Sequence, residues 1–310
     1  MKNIELYKQF AKDYKIPIPI IDADYFIKSL TLIDFSGKYL EALMYAEKWM
    51  SLTNSTVDDF RNEIKSVIEK IVDRLSEREV IDPIVGDALN IQEKYGIKYS
   101  QSLNVYNRNS VGNSYISLDL IHANEQALEA MSVLDSCESW DSLVFDFTRN
   151  ENKEVHDSLF QYIKNSKQIR QVTFGKINAK MQRKVEKWLV ERVIDDLIEN
   201  QILDSDDFIG YTTDEIILKD TEFTRKVVDD VELASTKLGR FSIDKFKIKQ
   251  IGDFDFFVKV RCDKYPSFHN IPTTYYMQAV KYYFGQPITD DDLRFIYEGH
   301  IAKFEKPLFN

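Results

Sequence analysis

From Asp22 to Met50 the chain is largely apolar with a period near 3.6, which predicts helix. From Ser55 to Arg78 the pattern is more regular. Ser55 and Asp58 form a Ser-x-x-Asp start, a capping-box variant, and Phe60, Ile64, Val67, Ile68, Ile71, Val72 and Leu75 then fall on one stripe. The first hundred residues therefore predict a small helical bundle. From Val111 the pattern changes: Tyr115 to Leu118 is a short strand-like run ending at Asp119, and HANEQALEAM returns to helical spacing. Helical stretches follow around 150–200, after a polar turn at 148–152. In FIGYTTDEIIL (208–218) two strand-like arms flank a polar tip at Thr212 to Glu215, a hairpin carrying an acidic pair. Residues 246–260 are a second hairpin candidate with Gly252-Asp253 at its turn. Helical, aromatic-rich segments are expected around 272–284 and 290–304.

This order predicts a helix-rich α+β fold. An N-terminal helical region occupies residues 1–105, an α+β region with a basic helix 106–265, and a C-terminal helical region 266–310.

Composition narrows the chemistry. Among 310 residues only 10 are Gly and 7 Pro, and no two glycines are spaced to write GxG. A dinucleotide fingerprint and a GxxxxGK phosphate loop are thereby excluded. With 44% apolar and 30% charged residues the chain reads as globular. Cys137 and Cys262 form no CxxC or Cys/His cluster, which argues against a zinc site or a disulfide framework and for a reducing, cytoplasmic setting. The N-terminal segment is charged throughout and no run of 18 apolar residues occurs, so no membrane partner is expected.

The net charge of −10 is unevenly spread. Between 161 and 190 stand eight cations, Lys164, Lys167, Arg170, Lys176, Lys180, Arg183, Lys184 and Lys187, against the single acid Glu186. The stretch 191–232 holds fourteen acids against four bases. A local basic field can hold phosphates whatever the net charge. Lys245, Lys247, Lys249, Lys259 and Arg261 alternate along the 246–260 hairpin, which predicts a second basic face.

Phosphoryl transfer with nucleotides asks for carboxylates on adjacent strands to hold divalent metals and for cations to grip the triphosphate. Asp119, the basic stretch and Asp214-Glu215 supply these in order. YISLDLIHANEQAL (115–128), SKQIRQVTFG (166–175) and YTTDEIIL (211–218) resemble motifs A, B and C of palm-type nucleic-acid polymerases. Motif B is similar to the Lys-x-x-x-Phe-Gly core of family A DNA polymerases, with Arg170 at the cation position and Phe174-Gly175 matching Phe-Gly. Motif C resembles that family's His-Asp-Glu hairpin, with Thr213 in place of His. The compact spacing is nearer to that of reverse transcriptases, whose motif Tyr corresponds to Tyr211.

The resemblance implies a compact antiparallel palm-like sheet flanked by the helical regions, and a two-metal mechanism adding nucleotides to a 3′-hydroxyl of DNA or RNA. Asp119 and Asp214 would hold Mg²⁺ or Mn²⁺, with Glu215 an auxiliary acid. Lys167, Arg170 and Lys176 would meet the nucleoside triphosphate, and Phe174 would stack on the incoming base. Lys180, Arg183, Lys184, Lys247 and Lys249 would meet the primer and template, the second hairpin gripping the primer. A viral replication setting, with a protein partner, fits such a chain.

Each part has an ordinary alternative: Asp119 as a helix N-cap, Asp214-Glu215 as solvated turn residues, the basic run as a solvated face. Tyr275, Tyr276, Tyr282 and Tyr283 could stack on bases, and their helical spacing favours packing. The four histidines form no metal-ligand spacing. The competing reading is a non-catalytic, helix-rich interaction or nucleic-acid-binding protein, including an inert palm subunit of a replication assembly.

Overall fold

The computed structural model describes residues 3–86, 88–100, 105–262 and 264–309. Five helices precede the first strand: α1 (Ile4–Asp13), α2 (Ala23–Ile33), α3 (Lys38–Thr53), α4 (Val57–Ser76) and α5 (Ile91–Tyr95). The apolar pattern of 22–50 is thus two helices. The chain breaks at 34–37, where Gly37 takes φ +73° and the Asp34 carboxylate accepts from Leu40 N–H at 2.8 Å, capping α3. Helix α4 buries Phe60, Ile64, Val67, Ile71 and Leu75, as the stripe requires. Its capping box lies one residue later than the sequence suggested, at Thr56 and Asp59, because Thr56 is the last residue with extended backbone.

Strand β1 (Ser114–Leu120) leads into α6 (Ala123–Ala130), α7 (Trp140–Phe147), α8 (Lys153–Asn165), α9 (Lys167–Phe174) and α10 (Ala179–Glu199). The first hairpin is β2 (Phe208–Tyr211) and β3 (Glu215–Lys219), followed by α11 (Glu222–Lys226) and α12 (Val228–Leu238). The second is β4 (Phe241–Gln250) and β5 (Phe257–Arg261), and β6 (Ser267–His269) follows. The chain continues through α13 (Tyr276–Tyr283) to β7 (Arg294–Tyr297) and β8 (His300–Lys303). Residues 290–304 were expected to be helical. They form a short turn of 3-10 helix and the β7–β8 hairpin instead, reversed at Glu298 and Gly299, both with positive φ.

The six-stranded sheet runs β2-β3-β1-β4-β5-β6, antiparallel at every neighbouring pair, which makes the fold α+β and helix-rich. The period of two sorts its faces. Ile116, Leu118, Leu120, Ile216 and Leu218 enter the large core together with Leu128 of α6, Val193 of α10 and Val231 of α12. Tyr115, Ile217, Phe246, Ile248 and Phe257 form a smaller core on the other face. The large core runs from Leu6 in α1 to Val280 in α13, so all three regions of the chain share it. Among the described residues no helix is long and apolar enough to cross a membrane.

Candidate active site

Asp119 is the penultimate residue of strand β1. Across the sheet Glu215 is its register partner, and Leu120 N–H donates to the Asp214 carbonyl at 2.8 Å. The ladder therefore brings together two acids far apart in sequence. Asp119 is not an N-cap: α6 begins at Ala123, and its capping residue is His122.

A bulge between Phe208 and Gly210, with Gly210 at φ +153°, leads β2 into the hairpin tip. Thr212 fixes that tip. Its N–H donates to the Glu215 carbonyl at 2.7 Å, and its hydroxyl oxygen accepts from Glu215 N–H at 3.0 Å and donates to Asp214 Oδ1 at 3.0 Å. Asp214 is thereby aimed while its carboxylate stays exposed. Glu215 is neutralised by Lys259 Nζ at 3.0 Å, which also stands over the Phe246 ring, 4.1 Å from its centroid.

Asp119 and Asp214 line one cavity of about 390 Å³ with Lys167, Arg170, Glu186 and His122. Asp119 keeps part of its surface open to solvent; desolvation of the rest, then repulsion from Glu215 and Asp214, push its carboxyl up to about 6, opposed by Lys167 and Lys259. The part of this shift that comes from Glu215 and Asp214 is what a bound divalent cation would offset. Among the described residues no three His, Cys, Asp or Glu side chains group as a metal cage. Two carboxylates nevertheless fit Mg²⁺, which is bound by one or two carboxylates plus substrate phosphates and water.

Glu186 escaped the sequence reading. It is buried on α10, and Asn124 Nδ2 donates to its Oε1 at 2.9 Å. Burial, then the charge of Asp214, push its carboxyl up to about 7, against the pull of Arg183. The available signal was its being the only acid among eight cations. Because its folded pKa is raised, its stabilising contribution is present below about pH 4.5 and lost as pH rises through about 7. Glu186→Gln should therefore stabilise the metal-free chain above pH 7, by up to about 3 kcal/mol, with the gain vanishing in acid. Thermal melts across pH 4–8 check this.

The basic stretch is not one helix. Lys164 lies in α8, Lys167 and Arg170 in α9, Lys176 in the connection, and the rest in α10. Lys164 pairs with Asp141 and Lys187 with Glu191. Among the described residues the other six have no carboxylate within ion-pair distance. Lys167 and Arg170 line the carboxylate cavity. Arg170 is half-buried; burial lowers its pKa, while Glu125 and Asp141 hold it up. Lys180, Arg183, Lys184 and Lys187 line a second cavity of about 770 Å³ with Tyr99 and Thr213. Thr213 precedes Asp214, so the hairpin tip divides the basic cavity from the acidic one.

Three expectations are corrected. Phe174 is fully buried, edge-on to Trp140 with ring centroids 5.4 Å apart, so it stacks on no base. Phe174→Ala should cost about 3–5 kcal/mol of stability, read by denaturant unfolding, and a chain as stable as wild type would refute the core role. Lys247 and Lys249 do not share a face with Lys259 and Arg261. In the register Lys247 opposes Val260 and Lys249 opposes Val258, whereas Lys259 opposes Ile248 and Arg261 opposes Phe246. The first pair therefore projects from the face opposite Asp119, and the structure does not bring it to the cleft. Tyr275, Tyr276, Tyr282 and Tyr283 pack on Phe304, Phe268, Phe309 and Phe268 respectively, the packing alternative. Lys176 is exposed and outside both cavities.

Comparison with protein families, with curated proteins and with solved structures finds no match.

Proposed function

We propose that this chain is a palm-type nucleotidyltransferase that joins nucleotides to the 3′-hydroxyl of a DNA or RNA strand. The observation that carries the reading is that Asp119 and Asp214 line one cavity with Lys167 and Arg170, two cations that have no carboxylate within ion-pair distance among the described residues. Asp119 and Asp214 would hold Mg²⁺ or Mn²⁺. Held there, the ion would supply the Lewis acidity that attack of a 3′-hydroxyl on a triphosphate and departure of pyrophosphate ask for. Thr212 orients Asp214, and Lys259 pairs with Glu215, so that among the described residues Asp119 and Asp214 are left without an ion-pair partner. Lys167 and Arg170 grip the triphosphate, and Lys180, Arg183 and Lys184 track the strand's phosphates toward the hairpin tip.

The test is incorporation of labelled nucleoside or deoxynucleoside triphosphates on primed and unprimed DNA and RNA, with Mg²⁺ or Mn²⁺. Protein-dependent incorporation is the expected result. A folded chain that incorporates nothing under every combination overturns it. Lys180, Arg183 and Lys184 of α10, which among the described residues have no carboxylate within ion-pair distance, favour one second reading, a strand-binding subunit without turnover. Tight strand binding with no incorporation would select it.

A further inference from the structure

The carboxylate cavity has a neighbour on the other side of Lys167. A cavity of about 680 Å³ lies between the α2–α3 connection and the segment around β6, and Lys167 contributes to the walls of both. Its lining is aromatic where the first cavity is charged, with Phe35, Tyr39, Tyr265 and Tyr276 among its walls.

Two of these rings differ in how they are held. Tyr265 is fixed: its hydroxyl donates to the Leu32 carbonyl at 3.1 Å and its ring packs on Phe284 at 5.6 Å. Phe35 is 78% exposed, with its ring 6.1 Å from that of Tyr265 and tilted by 34°. A large ring left in water beside a fixed one can accept a flat aromatic ligand. The charges complement a phosphorylated ligand. Lys38 and Lys167 line the cavity, and among the described residues neither has a carboxylate within ion-pair distance. Its Asp34 is engaged by Leu40 N–H, and Lys264 by Asp244.

We propose that this cavity binds the base and sugar of a nucleoside triphosphate whose phosphates reach Lys167 and Arg170, with the base held against Phe35 and Tyr265. The proposal rests on the nucleotidyltransferase reading and supplies the base platform that the buried Phe174 cannot. It commits to a nucleotide because Lys167 lines both cavities, so a ligand with a flat ring against Phe35 and Tyr265 and phosphates at Lys167 spans the aromatic cavity and the carboxylate cavity.

Equilibrium binding of ATP and of inorganic triphosphate, measured by titration calorimetry without turnover, separates the two halves of the ligand. Wild type should bind ATP more tightly than triphosphate. Phe35→Ala should weaken ATP by about 10-fold and leave triphosphate unchanged, Phe35→Trp should restore ATP affinity, and Lys167→Ala should weaken both ligands. Phe35 is exposed, so its variants should fold as wild type, which a thermal melt verifies. Equal ATP affinity in wild type and Phe35→Ala overturns this inference and leaves the proposed function standing, as does wild type binding ATP no better than triphosphate. Wild type binding neither ligand overturns both.

Discussion

Asp119→Asn should abolish nucleotide incorporation, by about 10³-fold or more, and at the same time raise the thermal stability of the metal-free chain at pH 8. Both effects trace to the carboxylate's charge, which would hold the cation and is disfavoured in the metal-free fold. The Asp119 carboxyl is pushed up from 3.8 to about 6 because desolvation and the charges of Glu215 and Asp214 disfavour its ionised form. A carboxyl raised in the folded state contributes stability that is fully present below about pH 4 and lost as pH rises through about 6. Asn resembles the protonated acid. Its advantage should therefore be absent near pH 4, grow through pH 6 and level off by pH 8. Asp214→Asn should lose incorporation to a similar extent. Incorporation surviving either substitution contradicts the role assigned to that aspartate. A melting temperature unchanged or lowered at pH 8 in Asp119→Asn contradicts the electrostatic account of the cleft.

The second large effect is expected on strand binding. Lys180, Arg183 and Lys184 stand exposed along one side of α10, beside the hairpin tip. Replacing all three by Ala should weaken single-strand binding about 100-fold at low salt. The slope of log affinity against log salt should flatten by about 2, since each phosphate contact on a single strand contributes about 0.7. The Lys247→Ala, Lys249→Ala double variant is the matched control: both residues leave the sheet on the face away from Asp119, and the slope should not change. Titrations followed by fluorescence anisotropy between about 50 and 200 mM salt make the comparison. An unchanged slope in the triple variant would place the strand elsewhere, and a flattened one in the control would bring it across the opposite face.

Local pattern carried the strand ending at Asp119, both hairpins of the main sheet and the α4 stripe, because each is fixed by side-chain period and nearby turn residues. What it could not carry depends on contacts between distant segments. Lys249 and Lys259 continue an alternation on paper, but the connection at 251–256 sets the register, and with it which face each lysine joins. Phe174 sits in a motif-like run, yet Trp140 from α7 covers it. Glu186 gains its raised pKa only when the fold buries it and then sets it near the charge of Asp214. The aromatic-rich 290–304 segment reads as helical, whereas the positive φ at Glu298 and Gly299 turns the chain into a hairpin. For the site itself, the order of acids and cations was legible. That Asp119 is free of a capping role, and that Lys167 borders an aromatic cavity as well as an acidic one, emerges only from the fold.

The central claim is that Asp119 and Asp214 together hold the divalent cation for nucleotide transfer. Its most direct test replaces Mg²⁺ by Fe²⁺ and uses ascorbate and peroxide to cut the backbone beside the bound ion. The expected result is two cuts, one near Asp119 and one near Asp214, suppressed by excess Mg²⁺ and lost in the Asp119→Asn, Asp214→Asn double variant. Diffuse cleavage, or localised cuts that spare either strand end, would contradict it.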